Sequence, residues 1–395
     1  VSLYVHVPFC QRLCHYCGCH VEIRGNRDLG SEYVDTLLLE AASWRRHQGD
    51  RTLGQLALGG GTPTFLRTAD LARLVEGLRA LWPQAPGAEL SIEVDPRTVS
   101  PEELAALPGV GFTRVNLGVQ DVDESVLAAV NRPQPFSLVE RAFSSLRGAG
   151  LADVGVDLVY GLPSQTDESF ERTLHAVATQ SPRRIALFQY AHVPWLKPQQ
   201  KLLERFSRPD SDARTRMWTM ARRVLGDEGY VEVGMDHFAA ADDPLVAALA
   251  DGSLQRNFEG YTTHGGLDQI GLGVSAIGSF GGAYAQDTKD RAKYAEVVRA
   301  GGLPVERGLV LSEDDIARRR IIMSLFCTFV ADVGAGEYAA ERARLATFVD
   351  DGLVVIEQDT VRVTPLGQFF IRNVCSVFDR YLEGDIASRR YSETA

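Results

Sequence analysis

The sequence predicts an α/β protein, a partial (β/α)6 barrel of the TIM type followed by a second, mostly helical C-terminal domain. In the first half of the chain, short apolar runs alternate with amphipathic stretches, as expected for buried parallel strands and their crossover helices. Residues able to carry chemistry come directly after several of these runs, where barrel proteins build their sites. A doubly wound open sheet is the alternative, because it shows the same alternation.

Six apolar runs are predicted to be the barrel strands: residues 3–7, 55–58, 90–94, 114–119, 154–160 and 185–190. Between them lie amphipathic segments predicted to be helices, such as residues 32–46 and 68–81. In the second of these helices, the apolar residues of one face are Leu71, Leu74, Val75 and Leu78.

The alternation ends near residue 215, so we expect one domain over residues 1–215 and a second over residues 216–395. A helix is predicted over residues 213–228, and a Gly-rich region follows it. Ser312 and Asp315 have the spacing of a capping box, which would begin a helix extending to Phe329. We expect this second domain to cover the substrate.

The charge balance limits the partners of the protein. With 41 basic and 52 acidic residues, the net charge of -11 argues against a general attraction to nucleic acid or anionic lipid. No uncharged apolar run reaches the roughly 18 residues that a membrane-spanning helix needs. We therefore expect neither a nucleic-acid partner nor a membrane span, and an anionic substrate would have to meet a local basic cluster.

Four of the six cysteines, Cys10, Cys14, Cys17 and Cys19, lie within ten residues directly after the first predicted strand. This crowding is unlike a disulfide framework and fits a reducing, cytoplasmic protein. Cys327 and Cys375 stand among apolar neighbours and are predicted to be buried.

Three close thiolates suit a cubane iron-sulfur cluster with one iron left open. An open coordination position implies chemistry. A tetrahedral zinc ion is the alternative, with the fourth ligand supplied by Cys19, His6, His15 or His20.

The segment Tyr4-Val5-His6-Val7-Pro8-Phe9-Cys10, followed by cysteines at intervals of three and two residues, resembles the radical S-adenosylmethionine enzymes. The fourth cysteine, in Cys17-Gly18-Cys19, narrows the resemblance to the bacterial oxygen-independent coproporphyrinogen III oxidases. Further stretches resemble the same family along nearly the whole chain: residues 59–63, 118–121, 130–132, 157–163, 234–239, 256–263, 273–277 and 371–375.

The resemblance implies that Cys10, Cys14 and Cys17 hold a [4Fe-4S] cluster whose open iron binds S-adenosylmethionine, and that Cys19 is not a ligand. Electron transfer would cleave the sulfonium to a 5'-deoxyadenosyl radical. Two propionates of coproporphyrinogen III would then be decarboxylated to vinyl groups, giving protoporphyrinogen IX in heme biosynthesis. Glu93 is the remaining expected catalytic residue.

The resemblance also implies two bound S-adenosylmethionine molecules. The first would contact Tyr4, Tyr16, Gly60, Glu93 and Ile277. The second would contact Gly61, Thr62, Gln120, Arg132, Asp157 and Ala191. The substrate candidates are His237, Arg256, Tyr261 and Thr262.

Structural explanations stay open for several of these residues. The glycines of residues 59–61 could form a tight turn, Glu93 could be a strand-end acid, and Arg132 could be a solvated loop arginine. His237 could be a structural histidine, and His6 could tune the cluster or fill the barrel.

We expect a monomer that receives electrons from a donor such as flavodoxin or ferredoxin. Because Val1 already lies inside an apolar run, we also expect a preceding segment, the N-terminal arm of the family. A heme chaperone of a related branch is one alternative function, although that branch typically has Phe at the position of Cys19 and His at that of Arg256. A radical methyltransferase or heme-opening relative is another.

Overall fold

The structure, a computed structural model, describes residues 1–334 and 336–382. The final residues of the predicted second domain, 383–395, lie outside the described part. Among the described residues, no helix is both long enough and apolar enough to cross a membrane.

The first half of the chain alternates strands and helices as predicted. Its elements are β1 Ser2–Val7, β2 Phe9–Cys10, β3 Glu22–Ile23, α1 Asp28–Arg45, β4 Leu53–Gly60, α2 Thr68–Leu81, β5 Gln84–Val94, α3 Pro101–Val110, β6 Arg114–Gln120, α4 Glu124–Ala129, α5 Phe136–Gly148, β7 Val154–Tyr160, α6 Asp167–Ala178 and β8 Arg184–Gln189.

The six predicted strands are neighbours in chain order, β1-β4-β5-β6-β7-β8, and every pair is parallel. A doubly wound sheet would reverse its strand order near the middle. The partial barrel is therefore confirmed, and the doubly wound alternative is wrong. Because parallel strands of one barrel end at the same mouth, the loops after β1, β4, β5, β6, β7 and β8 converge there.

Residues 211–310 extend this sheet at both edges. The elements are α7 Ser211–Asp227, β9 Tyr230–Val233, β10 His237–Ala240, α8 Pro244–Asp251, β11 Gln255–Asn257, β12 Gly260–Thr262, β13 Gln269–Leu272, β14 Ile277–Phe280, β15 Ala283–Asp287, α9 Arg291–Arg299 and β16 Val305–Val310. Strand β13 pairs with β1 in parallel, and β10 pairs with β8 antiparallel. The sequence predicted only a Gly-rich region here, because these strands are short and most of them lack a clear alternation of apolar and polar residues.

The remaining elements form a mixed unit around a three-stranded sheet of order β17-β19-β18. They are α10 Glu313–Thr328, β17 Val330–Asp332, α11 Ala339–Arg344, α12 Ala346–Asp350, β18 Val354–Glu357, β19 Thr360–Val363 and α13 Ile371–Ser376. The predicted capping box is confirmed at the start of α10, where the side chains of Ser312 and Asp315 each bond to the other residue's backbone N-H.

Two hydrophobic cores divide the molecule. The larger core fills the space between the barrel strands and helices and includes Met217 and Trp218 of α7. The smaller core gathers residues from Val233 to Phe378, including both isolated cysteines, which are buried as predicted. Helix α7 continues across the predicted domain boundary at residue 215, and the domain limits stay a prediction.

Helix α2 illustrates how the predicted apolar face is used, because all four predicted residues are buried in the larger core. Replacing Leu74, which is 0% exposed, by Ala should lower the free energy of unfolding by about 2–5 kcal/mol, through lost burial and a cavity. Urea unfolding followed by circular dichroism measures this change. Leu39 on α1 is 49% exposed, so Leu39→Ala is the matched control and should cost less than about 1 kcal/mol. Equal losses in the two variants would contradict this packing.

Candidate active site

The four clustered cysteines lie on a loop, residues 10–20, at the mouth of the barrel. We call it the cysteine loop. Its first residues pair with β3, where Phe9 and Cys10 lie opposite Glu22 and Ile23. The turn between Cys14 and Cys17 is closed by a hydrogen bond from the Cys17 N-H to the Cys14 carbonyl oxygen, 3.2 Å long. The loop therefore follows β1 directly, as the sequence predicted.

Neighbouring segments hold the cysteine loop through its backbone. The His15 N-H donates to the Val130 carbonyl oxygen at 2.9 Å, and the Asn131 side-chain amide donates to the Leu13 carbonyl oxygen at 2.7 Å. The Gln199 and Gln200 side-chain amides donate to the Cys17 and Tyr16 carbonyl oxygens, both at 2.9 Å. These contacts fix the path of the loop independently of any bound group.

One cavity of about 420 Å³ collects most of the predicted site residues. It is lined by Cys10, Cys14, Tyr16, Cys17, Gly60, Gly61, Thr62, Glu93, Gln120, Arg132, Asp157 and Ala191, together with Cys19. These residues come from the loops or ends of all six barrel strands, as expected for a barrel site.

The donor set around this cavity suits a group larger than a single ion. Cys10, Cys14 and Cys17 are close enough for the charges of Cys14 and Cys17 to affect the pKa of Cys10. Yet no three His, Cys, Asp or Glu side chains of the described residues are grouped closely enough to hold one metal ion. Three cysteine thiols that line one cavity are the donor set that a four-iron cluster with one open iron takes.

The three sulfurs have different environments. The Thr62 hydroxyl lies 3.4 Å from the Cys10 sulfur, and burial raises the pKa of Cys10 to about 12. The pKa of Cys17 is lowered to about 7, because the Cys19 thiol donates a hydrogen bond to the Cys17 sulfur. Two guanidinium groups, from Arg97 and Arg132, donate to the Cys14 sulfur at 3.3 and 3.4 Å.

The glycines after β4 are required by close packing. Gly60 has φ +106°, and a Cβ atom there would lie 2.5 Å from the His6 ring. A Cβ atom on Gly61 would lie 2.8 Å from the Phe9 carbonyl oxygen. The Gly60 N-H donates to Glu93 at 3.2 Å, whereas the N-H groups of Gly61 and Thr62 donate to backbone carbonyls. Close packing thus accounts for Gly60 and Gly61, and these two glycines also line the cavity, whereas Gly59 does not.

His6 lies beneath these glycines as a neutral ring. Its Nε2 donates to the His20 carbonyl oxygen at 2.9 Å, so its Nδ1 accepts from the Tyr4 hydroxyl at 3.1 Å. Burial lowers the pKa of His6 to about 4. His6 therefore supports the end of the cysteine loop and fills the barrel.

Two carboxyl groups, Glu93 and Asp157, face the cavity from β5 and β7. Protein encloses most of both side chains, although the Glu93 side chain is exposed to the cavity. Burial raises the pKa of Glu93, and burial together with the Glu93 charge raises the pKa of Asp157 to about 7. With Phe188, they separate the cavity from a narrower space of about 130 Å³ inside the barrel, the lumen.

Arg132 is buried, so its interpretation as a solvated loop arginine is wrong. Its guanidinium donates to the Gly118 carbonyl oxygen at 2.6 Å and pairs with Asp95 at 3.3 Å. Asp95 also pairs with Arg97 at 2.6 Å. Sequence reasoning missed Asp95 and Arg97, although Asp95-Pro96-Arg97 comes directly after β5 and polar residues at a strand end were the available signal.

Two predicted contacts of the first cofactor molecule lie elsewhere. Tyr4 borders the lumen, with its ring 6.2 Å from that of Phe258. Ile277, in β14, is not among the residues that line the cavity or the lumen.

The four substrate candidates do not line the cavity with the cysteines. His237 and Tyr261 border the lumen, whereas Arg256 and Thr262 border a separate cavity of about 510 Å³ beside α10. Asp236 accepts from His237 at 2.6 Å and from Arg256 at 3.1 Å. Although burial raises the pKa of Asp236, these two neighbours hold it well below its ordinary value.

Tyr261 is held on both sides of its hydroxyl. The hydroxyl accepts from the Met235 N-H at 2.9 Å and donates to the Phe326 carbonyl oxygen at 2.7 Å, and the Arg256 guanidinium stacks on the Tyr261 ring. In this structure the polar groups of Tyr261 and Arg256 thus serve internal contacts.

Comparisons with known proteins agree with the site. The model of the radical SAM superfamily matches residues 4–177. The chain is 38% identical over 402 residues to the oxygen-independent coproporphyrinogen III oxidase of Escherichia coli strain K12, covering 99% of this chain and 88% of that protein. It is 34% identical over 406 residues to the enzyme of the same name from Helicobacter pylori strain 26695, covering 100% of this chain and 88% of that protein.

The solved structure of coproporphyrinogen III oxidase HemN from Escherichia coli, described as a radical SAM enzyme, is similar to this structure over both halves of the chain. The TM-score is 0.92 at 38% sequence identity, and the match covers 96% of this chain and 90% of that one.

The close approach of Gly60 to His6 gives a direct test of the site geometry. Gly60→Ala should lower the free energy of unfolding by about 1–3 kcal/mol beyond the backbone strain of positive φ, because the added methyl group displaces the His6 ring. Gly87 also has positive φ, +73°, but its Cβ position is open, so Gly87→Ala isolates the strain, about 1–2 kcal/mol. Chemical unfolding measures both variants. Equal destabilisation would show that the contact is absent.

Proposed function

This chain belongs to the radical S-adenosylmethionine superfamily and, within it, to the oxygen-independent coproporphyrinogen III oxidases, and we propose that it converts coproporphyrinogen III to protoporphyrinogen IX. The observation that carries this proposal is the single cavity shared by three cysteines and nine further predicted residues. The 38% identity over 99% of the chain supports it independently. The enzyme is a radical S-adenosylmethionine oxidoreductase of heme biosynthesis.

Each of the two reactions turns a propionate into a vinyl group. One hydrogen atom leaves the β-carbon of the propionate, the carboxylate leaves as carbon dioxide, and one electron passes to an acceptor. When bound, the [4Fe-4S] cluster and S-adenosylmethionine together supply an oxidant strong enough to remove this hydrogen atom.

We assign the cluster to Cys10, Cys14 and Cys17. The Arg97 and Arg132 guanidinium groups both donate to the Cys14 sulfur, so a cluster held there would lie beside two positive charges. The Cys19 thiol donates a hydrogen bond to the Cys17 sulfur, and Cys19 is exposed. Both features suit a residue that lies beside the cluster and is not a fourth ligand.

Charged side chains of both signs line the cavity. Glu93 can accept hydrogen bonds from an amine or from ribose hydroxyls of the first S-adenosylmethionine, and Asp157 can accept them from ribose hydroxyls of the second. The buried Nε of Arg132 has no hydrogen-bond partner among the described residues. That unmatched donor supports the proposed contact with a carboxylate of the second S-adenosylmethionine, which would also contact Gly61, Thr62, Gln120 and Ala191.

The remaining assignments stay predictions. His237 and Tyr261 border the lumen below Glu93, so a propionate entering the lumen could meet them, whereas Arg256 and Thr262 would require the substrate to reach the cavity beside α10. All six cysteines are free, which supports a reducing compartment such as the cytoplasm. The monomeric state and the use of flavodoxin or ferredoxin are proposed on the family resemblance.

The activity is tested by incubating the anaerobically reconstituted protein with coproporphyrinogen III, S-adenosylmethionine and dithionite. We expect mass spectrometry to detect first a tricarboxylate with one vinyl group and then a dicarboxylate with two. Unchanged tetracarboxylate with an intact cluster would reject the proposed reaction. Tight heme binding without turnover would favour a chaperone, and a methylated product would favour methyl transfer.

The ligand assignment is tested by a pair of cysteine variants. Cys14→Ala should lose the brown cluster absorbance and all cleavage of S-adenosylmethionine, because one of three ligands is removed. Cys19→Ser is the matched control and should keep the cluster absorbance. Iron content and the visible spectrum after anaerobic reconstitution measure both. Retained colour in Cys14→Ala would overturn the assignment.

A further inference from the structure

The segment of residues 193–208, between β8 and α7, crosses the outer side of the cysteine loop, and we call it the strap. Lys197 and the helical turn Pro198–Leu203 that follows it present three side chains to the loop. Lys197 donates to the Cys19 carbonyl oxygen at 2.7 Å, next to the two glutamine contacts described above. The strap is therefore the surface segment in contact with the exposed end of the cysteine loop, where Cys19 is open to solvent and Cys14 is not.

The strap is basic in an otherwise acidic protein. It contains Lys197, Lys201, Arg205 and Arg208 but only one acid, Glu204, in a chain of net charge -11. Arg205 follows the helical turn whose glutamines hold the cysteine loop. All four lysines of the chain fall in residues 197–201 and 289–293, and Lys289 acts on His20 at the end of the same loop.

Several of these cations are free to meet a partner. Lys201 and Arg208 are exposed, and neither side chain has a hydrogen bond or ion pair to another described residue. Arg205 is also exposed, and its guanidinium only stacks on the neighbouring Phe206 ring, 4.8 Å away.

The strap also exposes large apolar side chains. Trp195, Leu196 and Leu202 are 49%, 55% and 48% exposed. Exposed apolar groups rimmed by polar ones mark interaction sites on soluble proteins. An aromatic side chain with surrounding cations is also typical of protein interfaces. Two independent properties, apolar exposure and unpaired positive charge, thus coincide beside the cysteine loop.

We propose that the strap is the docking surface for the protein that reduces the cluster, an acidic one-electron carrier with a flavin or iron-sulfur centre. This inference rests on the proposed function, since cleaving S-adenosylmethionine consumes one electron each time. The reduced carrier loses one electron and the cluster gains it, and no bond forms or breaks in this step.

Charge complementarity selects this occupant. Unpaired cations attract an acidic carrier to the strap and accelerate its association, while like charges on the acidic remainder of the surface disfavour docking elsewhere. Electron-transfer complexes are small and transient, which fits a surface of sixteen residues. Docking here brings the carrier to the outer side of Cys17 and Cys19.

The test compares two reductants for one enzyme. The double variant Lys201→Glu and Arg205→Glu reverses two strap cations that form no hydrogen bond or ion pair with the described residues of the cysteine loop. With dithionite, its rate of 5'-deoxyadenosine formation should equal that of the wild type. With reduced flavodoxin as the varied donor, its apparent KM should rise about tenfold, and its rate should depend less on salt.

Matched variants separate docking from general effects. Arg141→Glu reverses an exposed cation on α5 that has no hydrogen bond or ion pair to another described residue, and it should leave the flavodoxin KM unchanged. Trp195→Ala should raise the flavodoxin KM without altering its salt dependence, because it removes only apolar contact.

Three outcomes would overturn the docking proposal: an unchanged flavodoxin KM in the double variant, an equal effect of Arg141→Glu, or a raised coproporphyrinogen KM with dithionite as reductant. The last result would assign the strap cations to the substrate carboxylates. Failure of the wild type to cleave S-adenosylmethionine with dithionite would instead reject the proposed function, and this inference with it.

Discussion

The backbone hydrogen bonds that hold the cysteine loop are the constraint on which the rest of the site depends. A loop with three thiols can bind one cluster only if its path is fixed, because each sulfur must meet a particular corner. Contacts from residues 130–131 on one side and from Gln199 and Gln200 on the other supply that fixed path. The close approach of Gly60 and Gly61 then brings β4 against the loop, which a side chain at either position would prevent.

The charges around the cavity are arranged by the same architecture. Arg97 and Arg132 lie near the Cys14 sulfur and are held by Asp95, so two buried cations share one carboxylate and a thiol. Glu93 and Asp157 come from β5 and β7, and no described cation pairs with either of them. The order of the strands thus places two carboxylates and two guanidinium groups around one cavity.

Much of the barrel and of the cavity was predictable, because both depend on regular features of the chain. Apolar runs identified the strands, and residues just after them, such as Thr62 and Asp157, had to meet at one mouth. The features that the sequence did not predict depend on tertiary packing. Arg132 is buried because Asp95 lies nearby in space, and no local pattern reveals that pair. Eight short strands of residues 230–310 were missed. Six of them join the edges of the barrel sheet, so their formation depends on a sheet that already exists, and β11 and β12 form a separate pair.

Three side chains of the strap donate hydrogen bonds to the carbonyl oxygens of residues 16, 17 and 19. None of these three hydrogen bonds uses a side chain of the cysteine loop. Substitutions at positions 18 and 19 therefore leave these hydrogen bonds intact, whereas substitution of Gln199 or Gln200 removes one of them. In a mutational library positions 18 and 19 would tolerate diversity, whereas Gln199 and Gln200, about 180 residues further along the chain, would not. An engineer who wished to reshape the surroundings of the metal centre would thus randomise residues 18 and 19 and keep the two distant glutamines.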